Sequence, residues 1–146
     1  MRKMSNLNVP IVYRGKTLGI LMLVASQLLI GSIHSVFGFW LLSTPKIAPF
    51  IGNTSAPDIY SIYTIVFGLL TLIFAAGLWL TKSWGWVGTV AVAFFVTVAD
   101  TLTLLDLPSV PGIPKLACFL EISYSLLILL YLLQPHTRTM FKICAS

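Results

Sequence analysis

An all-α integral membrane four-helix bundle, antiparallel and up-and-down with both termini cytoplasmic, is the fold this sequence predicts, on three observations. Of 146 residues, 58% are hydrophobic and 9% charged, with a mean hydropathy of +0.96, against about 25% charged residues in an ordinary soluble domain. Four apolar stretches are each long enough to cross hydrocarbon, at about 20 residues per crossing. The segments between and outside them hold nearly all the prolines and most of the charge. A soluble globular chain and a disordered one are both excluded by this composition, and residues 1–146 are expected to form a single transmembrane domain with no separate soluble part.

The first span is expected over residues 17–42, behind a head carrying Arg2, Lys3, Arg14 and Lys16. Its apolar run is too long for a secretory signal, and no small-residue cleavage pattern ends it, so it reads as a retained helix. Pro45, Pro49 and Pro57 interrupt the next segment; each lacks a backbone donor that hydrocarbon could not replace, which places the segment in water or at the interface. The second span is expected over 59–80, with Asp58 capping its first turn. Thr81-Lys82-Ser83 is so short that the third span, 84–105, must return beside the second as a hairpin. Pro108, Pro111 and Gly112 break the chain again, Pro114 suits the first turn of a fourth span over 114–133, and Gln134-Pro135 stops it. The tail, with His136, Arg138 and Lys142 beside Met140, Phe141 and Ile143, is expected at the interface.

Orientation comes from the basic flanks. Arg2, Lys3, Arg14, Lys16, Lys82, Arg138 and Lys142 fall on one side and only Lys46 and Lys115 on the other. This distribution places both termini in the cytoplasm and the chain in the cell membrane, and it turns the net charge of +5 into a topology signal rather than a nucleic-acid signal. Trp79, Trp84 and Trp86 cluster near Lys82 at the inner boundary, and Trp40 stands with Phe37 and Phe39 at the outer one, as interfacial anchors do. Asn53-Thr54-Ser55 forms a glycosylation acceptor pattern in an exterior loop. Cys118 and Cys144 would lie roughly 39 Å apart along a helix, far beyond disulfide reach.

Polar residues inside the spans are the functional candidates, because a charge at the bilayer centre costs about 3 kcal/mol or more. Asp100 is expected about 8 Å inside the outer boundary, Glu121 about 9 Å and His34 about 12 Å. They belong to polar or small stripes at helical spacing: Thr89, Thr97, Asp100 and Thr103; Cys118, Glu121, Tyr124 and Ser125; Gln27, Gly31, His34, Ser35 and Gly38; and Ser61, Thr64, Gly68, Thr71 and Ala75. The bland explanation is helix packing, with small residues letting backbones approach and hydroxyls bonding across helices. For His34, Asp100 and Glu121 the alternatives are a cation or metal site, a proton relay, or a mutually satisfied network. No motif spacing fixes a metal, no cofactor is expected, and no catalytic motif is present, so this chain alone is not expected to be an enzyme.

Gly77-Leu78-Trp79, Lys82-Ser83-Trp84-Gly85-Trp86, Tyr131-Leu132-Leu133 and the run from Pro135-His136 to Phe141 resemble a pattern in small four-helix membrane proteins of uncharacterised function found in archaea and some bacteria. The resemblance covers the second half of the chain. It implies four helices and no substrate. Two functions fit the sequence: a non-catalytic accessory or structural subunit of a larger membrane complex, of respiratory or oxidative metalloenzyme type, or a small oligomeric transporter or channel for a cation, proton or small solute using Asp100, Glu121 and His34. The bilayer and either other membrane subunits or further copies of the chain are the expected partners.

Overall fold

The computed structural model describes residues 12–13, 16–43, 57–109 and 113–142. Four long helices, α1 (Leu18–Ser43), α2 (Pro57–Trp79), α3 (Ser83–Leu104) and α4 (Lys115–Leu132), are followed by a short α5 (Pro135–Met140). All four long helices are long and apolar enough to cross a membrane. A two-residue antiparallel ribbon, β1 (Val12–Tyr13) with β2 (Lys16–Thr17), precedes α1, so Thr17 ends a strand instead of opening the helix. The chain is therefore helical with one small β element that hydrophobic patterning did not signal. Helix α2 begins at Pro57, which puts Asp58 inside the first turn instead of before it. Helix α4 begins one residue later than expected, with Pro114 in extended conformation as its N-cap. Asn53, Pro45, Pro49, Lys46 and Cys144 lie outside the described residues.

The connection between α2 and α3 is a Schellman motif. Lys82 N–H donates to Gly77 O at 2.9 Å and Thr81 N–H to Leu78 O at 3.0 Å, while Thr81 takes a positive φ of 53° as the motif requires at that position. Helix α3 ends in the same way: Leu107 N–H reaches Leu102 O, Asp106 N–H reaches Thr103 O, and Asp106 has φ 56°. Carbonyls that hydrocarbon could not solvate are thus satisfied by the chain itself.

Small residues decide where helices touch. A Cβ on Gly31 would stand 2.9 Å from Gly68 O, and one on Gly38 would stand 3.0 Å from Ser61 O. At the hairpin, a Cβ on Gly77 would lie 2.6 Å from the Cα of Gly85. α1 packs most extensively on α2, and α3 on α4 and α2. α1 and α4 stand further apart and meet where the long side chain of Tyr124 reaches Ser26, their hydroxyls 2.9 Å apart.

The bundle is layered along its length. At one end Ile20, Leu23, Val24, Leu78, Ala93, Ile128, Leu132 and Phe141 form an apolar core. Phe141, just past α5, is only 1% exposed, so the tail expected at the interface tucks its aromatic ring under the bundle. At the other end Tyr60, Ile113 and Cys118 form a smaller cluster, with Leu41, Tyr63 and Leu104 packed against it. Beyond that cluster Lys115 Nζ pairs with Asp106 Oδ1 at 2.8 Å, both exposed.

Candidate functional site

The polar residues singled out in the spans lie between those two apolar clusters. Every member of the α2 stripe, Ser61, Thr64, Gly68, Thr71 and Ala75, is buried, as are Gln27, Thr89, Asp100, Cys118 and Ser125. The stripes therefore mark the inward faces. Their hydroxyls, however, seldom bridge helices. Thr64, Thr71, Thr97 and Thr103 donate to the carbonyl four residues back, on Tyr60, Phe67, Ala93 and Ala99, as Ser35 does to Gly31. Helical Ser and Thr have this local acceptor available before any partner helix arrives, which corrects the expectation of hydroxyl bonds across helices. Thr103 also meets Ser109 Oγ at 2.6 Å.

His34 and Glu121 do meet. Nε2 of His34 lies 3.4 Å from Oε1 of Glu121, with 22% and 19% of the two side chains exposed. Nδ1 of His34 is 2.9 Å from Ile30 O, and a carbonyl can only accept, so Nδ1 carries hydrogen. Attraction between Nε2 and Oε1 then requires a second hydrogen on one of them, in a bond that 3.4 Å makes long and weak. Asp100 is 0% exposed, with Glu121 and His34 the ionisable groups near it.

Carboxyl oxygens go unpartnered in this layer. Among the described residues, both carboxyl oxygens of Asp100, Oε2 of Glu121 and the hydroxyl of Tyr63 are buried with no hydrogen-bond partner. Tyr63 interacts electrostatically with Asp100 and Glu121, and Tyr60 with Glu121. These two tyrosines were missed in the sequence, where aromatics near a boundary read as anchors. Their spacing held a signal: Tyr60, Tyr63 and Phe67 recur on one face of α2, at the depth of the three titratable residues. The ring of Phe67 stands edge-on to His34 at 4.9 Å between centroids and stacks on Tyr63 at 6.3 Å. Among the described residues, no group of three His, Cys, Asp or Glu is placed to hold a metal ion.

Three cavities adjoin the layer, the largest an apolar groove of about 650 Å³ between α2 and α3 with Tyr63 and Phe67 on its wall. A cleft of about 320 Å³ between α1 and α4 has His34, Glu121, Tyr124 and Ser125 on its polar wall and Ile30, Phe67, Ala117 and Leu120 on its apolar one. Deeper lies a cavity of about 20 Å³, bordered by Gln27, Thr71, Thr89 and Ser125. Gln27 Oε1 and Thr89 Oγ1 are both buried there without a partner in the chain, and the volume suits one water molecule.

The tryptophans divide. Trp40, Trp79 and Trp84 are exposed on the helix surface, and Trp40 stacks on Phe37. Trp86 instead turns inward, donating Nε1–H to Leu132 O at 3.0 Å, so it ties α3 to α4 against the apolar core.

The helices and their buried polar layer define a membrane-type helical bundle. Compared with protein-family models, curated proteins and solved structures, the chain matches none.

Proposed function

We propose that this chain is a small cell-membrane protein whose polar layer binds a cation, the proton foremost, and that it is the working unit of a small oligomeric transporter. The carrying observation is a layer of buried, unpartnered polar atoms: Asp100 Oδ1 and Oδ2 and Glu121 Oε2 have no donor within the chain, and the Tyr63 hydroxyl, itself able to donate, has no partner. An unsatisfied buried polar group costs about 1–3 kcal/mol, and a proton held between the carboxyl groups, or a cation beside them, relieves part of that cost. The chain from His34 through Glu121 to Asp100 crosses from α1 to α4 to α3, leading from the edge of the bundle to its centre.

In this reading the helices run antiparallel, up and down, with both termini cytoplasmic. The contact pairs support it, since Gly31 faces Gly68 and Leu72 while Gly38 faces Ser61 and Ile65. The proposed cytoplasmic end holds Lys82, Arg138 and Lys142. The resemblance to small archaeal and bacterial four-helix proteins agrees with this architecture and adds no substrate.

The test is infrared spectroscopy with flux measurement in vesicles. Wild type should show a carboxylic-acid band that shifts in heavy water and is lost in Asp100→Asn, and proton or cation flux should vanish in that variant with helix content unchanged. Wild-type flux no greater than in empty vesicles would overturn the transporter reading.

The accessory-subunit reading draws on a different observation. One half of the bundle axis is filled by packed apolar side chains, and each span turns large apolar residues outward, among them Leu29, Ile62, Phe94 and Leu127. Purification from native membranes in mild detergent separates the two: a stoichiometric co-migrating protein supports a subunit, and a partner-free homo-oligomer supports the transporter.

A further inference from the structure

We propose that the cleft between α1 and α4 is a lateral binding site for an apolar organic amine, entered from the bilayer, with its ammonium at the His34–Glu121 edge. This rests on the cation-binding reading above and names the class of cation. Three features of the cleft argue for it.

The first is position. His34 and Glu121 keep 22% and 19% of their side chains exposed, although both lie within helices long and apolar enough to span a membrane. Leu120, on the cleft's rim, is exposed, and α1 and α4 pack less closely than the other neighbouring helices. The polar pair is thus reached from the side of the bundle, where hydrocarbon lies.

The second is shape. A cleft of about 320 Å³ falls at the small end of ligand sites, about 300–1,000 Å³, which are mostly apolar with a few fixed polar groups. Ile30, Phe67 and Leu120 offer the apolar wall. A bare cation would leave that wall unused, and no three His, Cys, Asp or Glu among the described residues are arranged to ligate a metal ion.

The third is hydrogen-bonding chemistry. Of the cleft's lining, Glu121 carries a buried carboxyl oxygen with no donor among the described residues. An ammonium brings up to three donors and no acceptor, and its charge complements the Glu121 carboxyl group. Phe67 and Tyr124, both lining the cleft, are aromatic, and aromatic rings attract organic cations. Binding would place the ammonium where a hydrogen otherwise joins His34 to Glu121, so the amine and that proton compete.

The experiment titrates octylamine into the full-length protein in detergent, with 1-octanol as a probe lacking the cation and tetramethylammonium as one lacking the tail and the donors. Octylamine is expected to bind saturably, one per chain, and both controls at least about tenfold more weakly, since a hydrogen bond to a charged group is worth about that factor or more. Glu121→Gln should weaken octylamine by a similar factor, and so should Leu120→Trp, which fills the cleft from a lipid-facing position and so need not disturb the fold. Equal binding of octanol and octylamine would overturn the proposal, as would wild-type affinity in both variants. The carboxylic-acid band keeps the two readings apart. With the band present and no saturable octylamine, the amine site is wrong and the cation-binding layer stands; with the band absent from wild type, the proton-holding layer is wrong whatever octylamine does.

Discussion

Asp100 is the residue at which packing and function pull apart. It is fully buried, neither of its oxygens has a donor in the chain, and the ionisable groups near it include another carboxyl group, Glu121. Replacing it with Asn keeps the shape and puts an amide N–H where the proposed carboxylic-acid proton sits, so the donor to Glu121 is kept but can no longer be released. Asp100→Asn should therefore hold stability within about 1 kcal/mol of wild type, the net worth of one hydrogen bond, while abolishing flux. Thermal unfolding in detergent beside vesicle flux checks this, and a variant that is both less stable and fully active would refute it. The placement of His34 beside Glu121 and the burial of Asp100 were legible in the sequence because polar residues at matched depth stand out in hydrocarbon. The burial of the Tyr63 hydroxyl was not, because a tyrosine suits a membrane boundary equally well.

At the scale of elements, the four spans were legible to within two residues at each end, because length, hydropathy and proline breaks are all local properties. The ribbon before α1 and the burial of Phe141 under the bundle were not, since both depend on pairing between segments. The hairpin of α2 and α3 shows how tightly such pairing is specified. Gly85 approaches the backbone of Gly77 and Leu78 so closely that a Cβ would overlap it. Backbone cannot move aside as a side chain can, so Gly85→Leu should cost about 3 kcal/mol or more, at the top of the usual range for overpacking. The turn between the helices offers the opposite case. Thr81 holds φ 53°, a conformation costing an ordinary L-residue roughly 1–2 kcal/mol and glycine almost nothing. Thr81→Gly should raise the unfolding free energy by about 1 kcal/mol after the entropy glycine loses, seen as a higher unfolding midpoint. A lowered midpoint would show that the Thr81 hydroxyl, which lies 2.7 Å from Leu80 O, matters more than its backbone strain.

For the whole molecule, the order of layers along the axis sets what the bundle can do. The polar layer of His34, Asp100, Glu121 and Tyr63 gives way to the small cavity at Gln27 and Thr89, and then to a core closed by Ile20, Leu23, Leu78, Leu132 and Phe141. A close-packed apolar core offers water and ions no polar lining, so the polar layer is approached from the end bearing Asp106 and Lys115, from the α1–α4 cleft or from the apolar α2–α3 groove beside Tyr63. Transport by such a unit needs the apolar end to open, and a four-helix chain with a sealed half is expected to alternate rather than conduct. Single cysteines placed in a background lacking Cys118 and Cys144 test this in oriented vesicles. A cysteine at Ser109, beside Thr103 at the polar end, should react with a membrane-impermeant thiol reagent from the exterior side only, and one at Ala93, inside the apolar core, from neither side. Phe141→Ala removes the ring that closes the core and should cost about 3–5 kcal/mol as a cavity. If the protein survives that loss, the cysteine at Ala93 should become reactive from the cytoplasmic side. Reactivity of Ala93→Cys in the otherwise unaltered core would mean that the seal is open at rest and that the bundle works as a continuous pore.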